Sequence, residues 1–412
     1  MKLIYSLGVV LYTALIYVAF PFSQKARSWT QGRRKWISRL SEYSNSERPT
    51  IWFHCASLGE FEQGRPLIEK IKERSGETRI LLTFFSPSGY EVRKNYEKAD
   101  LVLYLPPDTP GNAKRFIRLA KPDKAIFIKY EFWYNYLEQL QKSKIPVYLV
   151  SGIFRKTQPF FRSYGGFFRK HLAGFTHFYI QDENSARLLK ESGIDQYTVC
   201  GDTRFDRVHE ISLAAADNEI VEGFRCNEKT VVAGSSWPPD EEIITRYINT
   251  NPDKLKWIFA PHEIDEANIN RLVNLIKVPA IRYSKADEGE LQASKVLIID
   301  NIGLLSSVYK YASIAVIGGG FGKGIHNILE AATWGIPVMF GPNYNRFREA
   351  VQLIKHGGAY SFTSYDDFRT ILDRFINEDN FLEKSGKSSF SFIKKNLGAS
   401  EIICSDILTK NC

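Results

Sequence analysis

Apolar runs of strand length alternate with longer amphipathic stretches from residue 51 to residue 340, and the alternation runs in two series. The first has strand candidates at 51–54, 80–83, 101–105, 125–128, 147–150, 178–181 and 198–200, with helix-like stretches such as 61–74 and 183–192 between them. The second has 231–234, 257–260, 296–299, 314–317 and 337–340. Strands separated by helices pair in parallel through crossovers, so the pattern predicts an α/β chain of two Rossmann-like, doubly wound domains. A length of 412 residues fits two cores rather than one. Between Asp206 and Lys229 the chain turns polar and acidic without a strand pattern, which reads as a linker. The predicted divisions are 1–24, 25–48, 49–208, 209–228, 229–385 and a helical C-terminal segment 386–412. Such folds take ligands at the carboxyl ends of their strands, here in a cleft between the two domains.

The hydrophobic share of 44% against 25% charged residues excludes a disordered chain, and no solenoid or low-complexity repeat is present. Cys55, Cys200, Cys226, Cys404 and Cys412 form no CxxC pair, which argues against structural zinc and a disulfide framework and for a reducing compartment. The charge balance, 55 − 46 = +9, favours an anionic partner: nucleic acid, a phosphorylated molecule or a membrane surface. Residues 3–22 carry no charged side chain, a length that suits a ~30 Å hydrocarbon core. Lys25, Arg27, Arg33, Arg34 and Lys35 follow that run, and only Lys2 precedes it. Positive flanks stay cytoplasmic, so the expectation is an uncleaved anchor with the body of the protein inside the cell. Spanning and lying in the interface both remain open.

Two turns could carry chemistry. His54-Cys55-Ala56-Ser57-Leu58-Gly59-Glu60 follows the first strand and puts Glu60 near the start of a helix. A carboxylate there is either a general base toward a substrate hydroxyl or an acid complementing the helix dipole. The run 318–330 places five glycines in seven residues between a strand and a helix, where backbone amides can cradle phosphate. It fails G-x-G-x-x-G because position 323 is Lys323, and fails the P-loop because Gly324 follows that lysine. His326 and Glu330, four residues apart, are expected on one helix face. The turns Ala233-Gly234-Ser235-Ser236 and Ala260-Pro261-His262-Glu263 end two further strands of the second half. No HExxH, Cys/His cluster or G-x-S-x-G appears, so metal hydrolysis and serine chemistry find no support. In 151–175, Arg155, Lys156, Arg162, Arg169 and Lys170 are interleaved with seven aromatic residues. That stretch is either a lipid-facing surface or an amphipathic helix with its aromatics in the core; no nucleic-acid module accompanies it.

The order of these motifs resembles the Kdo (3-deoxy-D-manno-octulosonic acid) transferases of lipid A and lipopolysaccharide biosynthesis, from the apolar N-terminus to about Ala359. Besides 54–60 and 318–330, the landmarks are Tyr104-Leu105-Pro106-Pro107-Asp108, Glu131-Phe132-Trp133, Gly201-Asp202-Thr203-Arg204-Phe205-Asp206, Ala233–Ser236 and Gly341-Pro342-Asn343. The resemblance implies a GT-B glycosyltransferase with an N-terminal membrane-anchor helix on the cytoplasmic face of the inner membrane. It implies CMP-Kdo as donor, the lipid A precursor (lipid IVA) as acceptor, and inverting transfer without metal or cofactor. Carried over, Glu60 is the catalytic base and Glu131 a possible second carboxylate. Ser235, Pro261, His262, Gly319, Gly320, His326, Asn327 and Glu330 are donor-binding residues. Gly319, Gly320 and a helix beginning at Asn327 would hold the phosphate, and Glu330 the ribose. Ser57, Gly59, Arg155, Arg162 and Arg169 are the acceptor and anionic-membrane residues. Departures from the family pattern are Lys129 in place of an acid, Tyr134 after Trp133, His262 in place of an Arg, and Leu304 in place of an acid. Two alternatives stay open: a GT-B UDP-sugar transferase or epimerase, and a catalytically inactive protein that binds anionic glycolipid.

Overall fold

The computed structural model describes residues 1–409; Cys412 and the end of the predicted segment 386–412 lie outside the described residues. The chain divides into two compact units, Met1–Arg207 with the chain from Leu397 onward, and Val208–Asn396.

The first unit is built on seven strands: β1 (Thr50–Cys55), β2 (Arg79–Phe84), β3 (Leu101–Tyr104), β4 (Lys124–Ile128), β5 (Val147–Gly152), β6 (His177–Ile180) and β7 (Tyr197–Val199). They pair in the order β3-β2-β1-β4-β5-β6-β7, all parallel. The strand runs are apolar without alternation because helices cover both faces of the sheet, as in β1, where every residue is buried. The chain winds outward from β1 in one direction, then crosses to β4 and winds in the other. The crevice at that switch, over the carboxyl ends of β1 and β4, is where such a sheet takes a ligand.

The second unit repeats the scheme with β8 (Thr230–Ser236), β9 (Lys256–Pro261), β10 (Ala280–Arg282), β11 (Val296–Ile298), β12 (Ile314–Ile317), β13 (Val338–Phe340) and β14 (Ala359–Ser361). Their order is β10-β11-β9-β8-β12-β13-β14, again parallel, with the switch between β8 and β12. The sequence pattern misses β10 and β14, three-residue edge strands too short to show a period.

Two predicted divisions change. The expected linker 209–228 is largely helical, in Arg204–Ala214 and Glu219–Arg225. The Asn218 side chain caps the second helix by accepting from the Val221 amide, and Val221 and Phe224 are buried. Two core residues at helical spacing were hidden among acids. The segment 386–412 also divides. Asp379–Lys395 is a helix of the second unit, whereas Ala399–Thr409 buries Ile403, Cys404 and Ile407 against the first sheet. Gly398 turns the chain between them at φ +104°, and Asp206 accepts from the amides of Gly398 and Ser400 to cap the last helix.

The N-terminal run forms one helix, Lys2–Ala19, with no buried residue, long and apolar enough to cross a membrane by length and composition. Its first two turns touch the first unit: the Tyr5 hydroxyl donates to Asp108 Oδ2 at 2.7 Å, and Lys2 pairs with Glu138.

Behind it, Arg33 departs from the expectation that the whole basic flank faces a membrane. Its guanidinium is buried, donates to the carbonyls of Trp29, Phe85 and Leu105 at 2.7–2.9 Å, and lies 3.8 Å from the Trp29 ring centroid. Burial pushes its pKa down to about 9. Lys25, Arg27, Arg34 and Lys35 remain exposed. Because two buried carbonyls and one part-buried carbonyl lose their donors together, Arg33→Met is expected to destabilise the fold by about 3 kcal/mol. Urea unfolding of the full chain measures this as a lower midpoint.

Candidate active site

In the first unit, β1 ends at Cys55 and the chain turns through Ala56 and Ser57 into the helix Leu58–Arg74, which places Glu60 in its first turn at the β1/β4 switch. Ser57 and Glu60 have the spacing of a capping box, but Ser57 bonds differently. Its hydroxyl donates to the Glu60 carboxylate rather than accepting from the helix amides. Glu60 is half-buried and Gly59 exposed. A Cβ built on Gly59 meets only Ser57 Oγ, at 3.8 Å, and its φ is not positive. Neither packing nor backbone conformation demands a glycine there, so Gly59 leaves the approach to the carboxylate open.

Glu131 leaves the carboxyl end of β4, the other strand of the switch. Lys129 ahead of it takes a left-handed φ of +68°, one of three non-glycine residues in that conformation at strand ends, with Ser151 and Ser235. The Trp133 indole donates to Glu131 Oε2 at 2.6 Å, and His54 Nε2 lies 3.4 Å from the same oxygen. The other His54 nitrogen is 2.9 Å from Thr83 Oγ1, which also accepts from the Trp52 indole. Burial raises the Cys55 thiol well above its ordinary range, and Glu60 and then Glu131 add to the shift. The two carboxylates therefore act on one buried point at the end of β1. Sequence reasoning missed His54 and Thr83 as the support of Glu131. His54 stood at the head of the motif, but Thr83 belongs to another strand and only the pairing of β1 with β2 brings it in.

In the second unit, a cavity of about 510 Å³ opens at the β8/β12 switch, lined by Trp237, Asp240, Gly319, Phe321, Lys323 and His326 among others. Trp237, His262 and His326 stack, with centroids 4.6 Å apart for Trp237–His262 and 4.4 Å for His262–His326. The Trp237 indole donates to His326 Nε2 at 2.9 Å. Burial, then the neighbouring His262, lowers the His326 pKa to about 4, so it is a neutral acceptor near pH 7. Asp240 is buried at the start of the helix Pro238–Thr250 and accepts from the Gly319 and Trp237 amides at 2.9 and 3.0 Å through Oδ2. Its Oδ1 is buried without a partner, and burial lifts its pKa to about 6 despite those two bonds.

The matches to known proteins fall on this framework. The sequence profile described as "3-Deoxy-D-manno-octulosonic-acid transferase (kdotransferase)" covers residues 33–207. A 3-deoxy-D-manno-octulosonic acid transferase of Aquifex aeolicus is 29% identical over 315 residues, covering 75% of this chain and 80% of the relative. One of Chlamydia trachomatis serovar D is 26% identical over 367 residues, covering 84% and 83%. Residues 33–207 carry the Kdo transferase profile, and both of these relatives are Kdo transferases. Among solved structures, a UDP-GlcNAc 2-epimerase from Neisseria meningitidis superposes with a TM-score of 0.61 at 15% identity, over 88% of this chain and all of that one. MurG from Acinetobacter baumannii gives 0.56 at 9% identity, over 87% and 99%. At those identities the neighbours share the fold alone, that of GT-B glycosyltransferases.

Several residues expected on the Kdo transferase's donor side are held differently. The Gly319 amide is engaged by Asp240, so it is not free for phosphate; among the described residues the Gly320 amide has no partner. The helix begins at Leu329 rather than Asn327 and is four residues long. Asn327 bridges the Leu329 amide and Glu330 Oε1, while Ser306 donates to Glu330 Oε2 at 2.6 Å. Ser235 sits at φ +50° in the β8 turn, and Pro261 closes β9, where the His262 amide donates to the Ser236 carbonyl. His262 therefore contributes its ring to the stack where an arginine was expected to contribute charge.

Of the residues expected on the acceptor side, Arg169 donates through Nη1 to the carbonyls of Phe160 and Arg162, both at 2.9 Å, and so also braces the loop. Arg155 and Arg162 are exposed, with Lys156 and Lys170. The stretch 151–175 is not one helix but a 3-10 turn, Pro159–Phe161, and a helix, Gly166–Leu172. Phe154, Phe160 and Phe175 enter the core while those four cations stay in solvent.

A pH dependence follows from this cavity. Between pH 7.5 and 5.5 Asp240 takes up a proton and His326 does not, so the cavity loses one negative charge as pH falls. Affinity for a cytidine phosphodiester, whose own charge is constant over that interval, is expected to rise several-fold, an effect within about one pKa unit, or ~1.4 kcal/mol. Asp240→Asn is expected to flatten the profile. Calorimetric titration of both proteins across the range checks it.

Proposed function

We propose that this chain transfers Kdo from CMP-Kdo to the lipid A precursor, lipid IVA, with inversion at the anomeric carbon. The observation that carries the reading is the Ser57–Glu60 pair at the switch point of a sheet within the region matched to the Kdo transferase family. Glu60 removes the proton from an acceptor hydroxyl, and the oxygen forms a bond to the anomeric carbon. The bond from that carbon to the phosphate oxygen breaks, and CMP leaves with the electron pair. The phosphate gains charge as it leaves, and amide donors in the glycine loop, Gly320 first, offset it. The Trp237–His262–His326 stack offers a flat face to the cytosine or the sugar. Glu131, oriented by Trp133 and His54, is the second carboxylate. Lys156, Arg155 and Arg162 favour a phosphorylated lipid and an anionic membrane, and the N-terminal helix with its basic flank favours attachment to the cytoplasmic face of the inner membrane. Nucleic acid has no part in the reading. Transfer is proposed to need no metal ion or cofactor, so a chelator is expected to leave the rate unchanged.

The direct test incubates the purified full-length protein with CMP-Kdo and lipid IVA and weighs the product. A mass gain of whole Kdo residues with release of CMP is expected. Turnover of UDP-sugars instead, or lipid binding without CMP release, overturns the proposal.

A further inference from the structure

Beneath the N-terminal helix lies a cavity of about 410 Å³ that the proposed chemistry leaves unused. Gly8 and Tyr12 of the helix form one wall, and Trp29, Phe85 and Trp133 form the other. The size is that of a small-ligand pocket, and the wall is almost wholly apolar. Its one carboxylate, Asp108, is spent within the fold, accepting from the Tyr5 hydroxyl and the amides of Asn135 and Tyr136 at 2.7–3.1 Å. The Tyr5 bond ties the helix to the cavity wall. Leu3, Ile4, Leu7, Leu11 and Leu15 are exposed on the opposite face of the same helix, so the helix presents apolar surface on both sides. Trp133 joins the cavity to the reaction centre, because its ring forms the wall while its indole N–H holds Glu131.

We propose that this cavity receives one acyl chain of the lipid acceptor, with the N-terminal helix serving as part of the substrate site as well as a membrane attachment. The inference rests on the acceptor assigned above. A chain seated against Phe85 and Trp133 places the attached sugar beside Glu131 and the end of β1. A bilayer phospholipid would fill the same apolar space, but the link through Trp133 to Glu131 favours the acceptor.

Gly8→Phe tests it, because Gly8 lines the cavity and a Cβ there meets nothing within 4 Å, so a ring narrows the cavity without a clash at its Cβ. The kcat/KM for lipid IVA relative to its de-acylated form is expected to fall at least tenfold, and Gly8→Ala is expected to keep the ratio. An unchanged ratio, or an equal loss on both acceptors, overturns the inference. A second readout is independent of transfer: a lipid IVA analogue with a diazirine in one acyl chain is photolysed with the full-length protein. Labelling of 5–13, 85 or 133 that Gly8→Phe abolishes supports the site even if no Kdo is moved. Labelling of the same residues by a diazirine phospholipid that excess lipid IVA does not displace assigns the cavity to bilayer lipid and overturns it.

Discussion

Glu60→Ala is expected to lower kcat for Kdo transfer by about 10²–10⁴, the range of a positioned general base, with CMP affinity unchanged. The residue has little structural work to lose. It is half-buried, bonds only to the Ser57 hydroxyl among the described residues, and leaves the strand and helix around it intact. A first-turn acid that merely complements the helix dipole is worth about 0.3–1 kcal/mol of stability, and its loss would leave turnover near normal. The two roles are therefore separated by a thermal melt and a single-turnover measurement on the same protein. Ser57→Ala, which removes the one bond to the carboxylate, is expected to cost less than Glu60→Ala and to show it in kcat rather than KM.

Gly320→Ala is expected to destabilise the second unit by about 2–3 kcal/mol and to weaken CMP binding at least about tenfold. A methyl at this position meets the Gly341 backbone at 2.6 Å, while the Asn343 amide donates to the Gly320 carbonyl at 2.9 Å. Two main chains pass there without side chains between them, and neither can yield without moving β12 or β13. Gly322→Ala is the contrast: its nearest atom is the Gly319 carbonyl oxygen at 3.7 Å, an ordinary contact, so its stability is expected to change by less than about 0.5 kcal/mol. Differential scanning calorimetry and CMP titration of the two variants measure both effects.

The legible part of this protein was what repeats or stands in sequence order. Strand runs such as 51–54 and 314–317 are apolar because both sheet faces are covered, and that reads directly from the chain. Glu60 was legible because strand, turn and helix follow one another without interruption. What escaped depends on contacts between distant residues. Asp240 lies 79 positions from Gly319, so nothing local in 318–330 showed that one of its amides was already engaged. Arg33 looked like any flanking cation until Trp29, Phe85 and Tyr104 closed around it. The bonds of Arg169 to the Phe160 and Arg162 carbonyls were out of sight for the same reason. The acidic stretch 209–228 hid Val221 and Phe224 because its few apolar residues, Ile211, Leu213 and Ile220 among them, are broken up by acids.

The cap that Asp206 places on the last helix has a consequence for how the molecule is made. The second unit is an insertion in the sequence of the first, since residues 208–396 separate the body of the first unit from its final helix. Lys124 of β4 reaches the Ile407 carbonyl and Tyr179 of β6 reaches Asp406, so strands made before the second unit wait for residues made after it. During translation the second unit can close as soon as residue 396 has emerged, whereas the first must hold Asp206 and one face of its sheet uncovered until residues 397–409 have followed. A fragment stopping near residue 207 lacks the helix that covers this face. The order of completion in the cell is therefore the reverse of the order of the sequence.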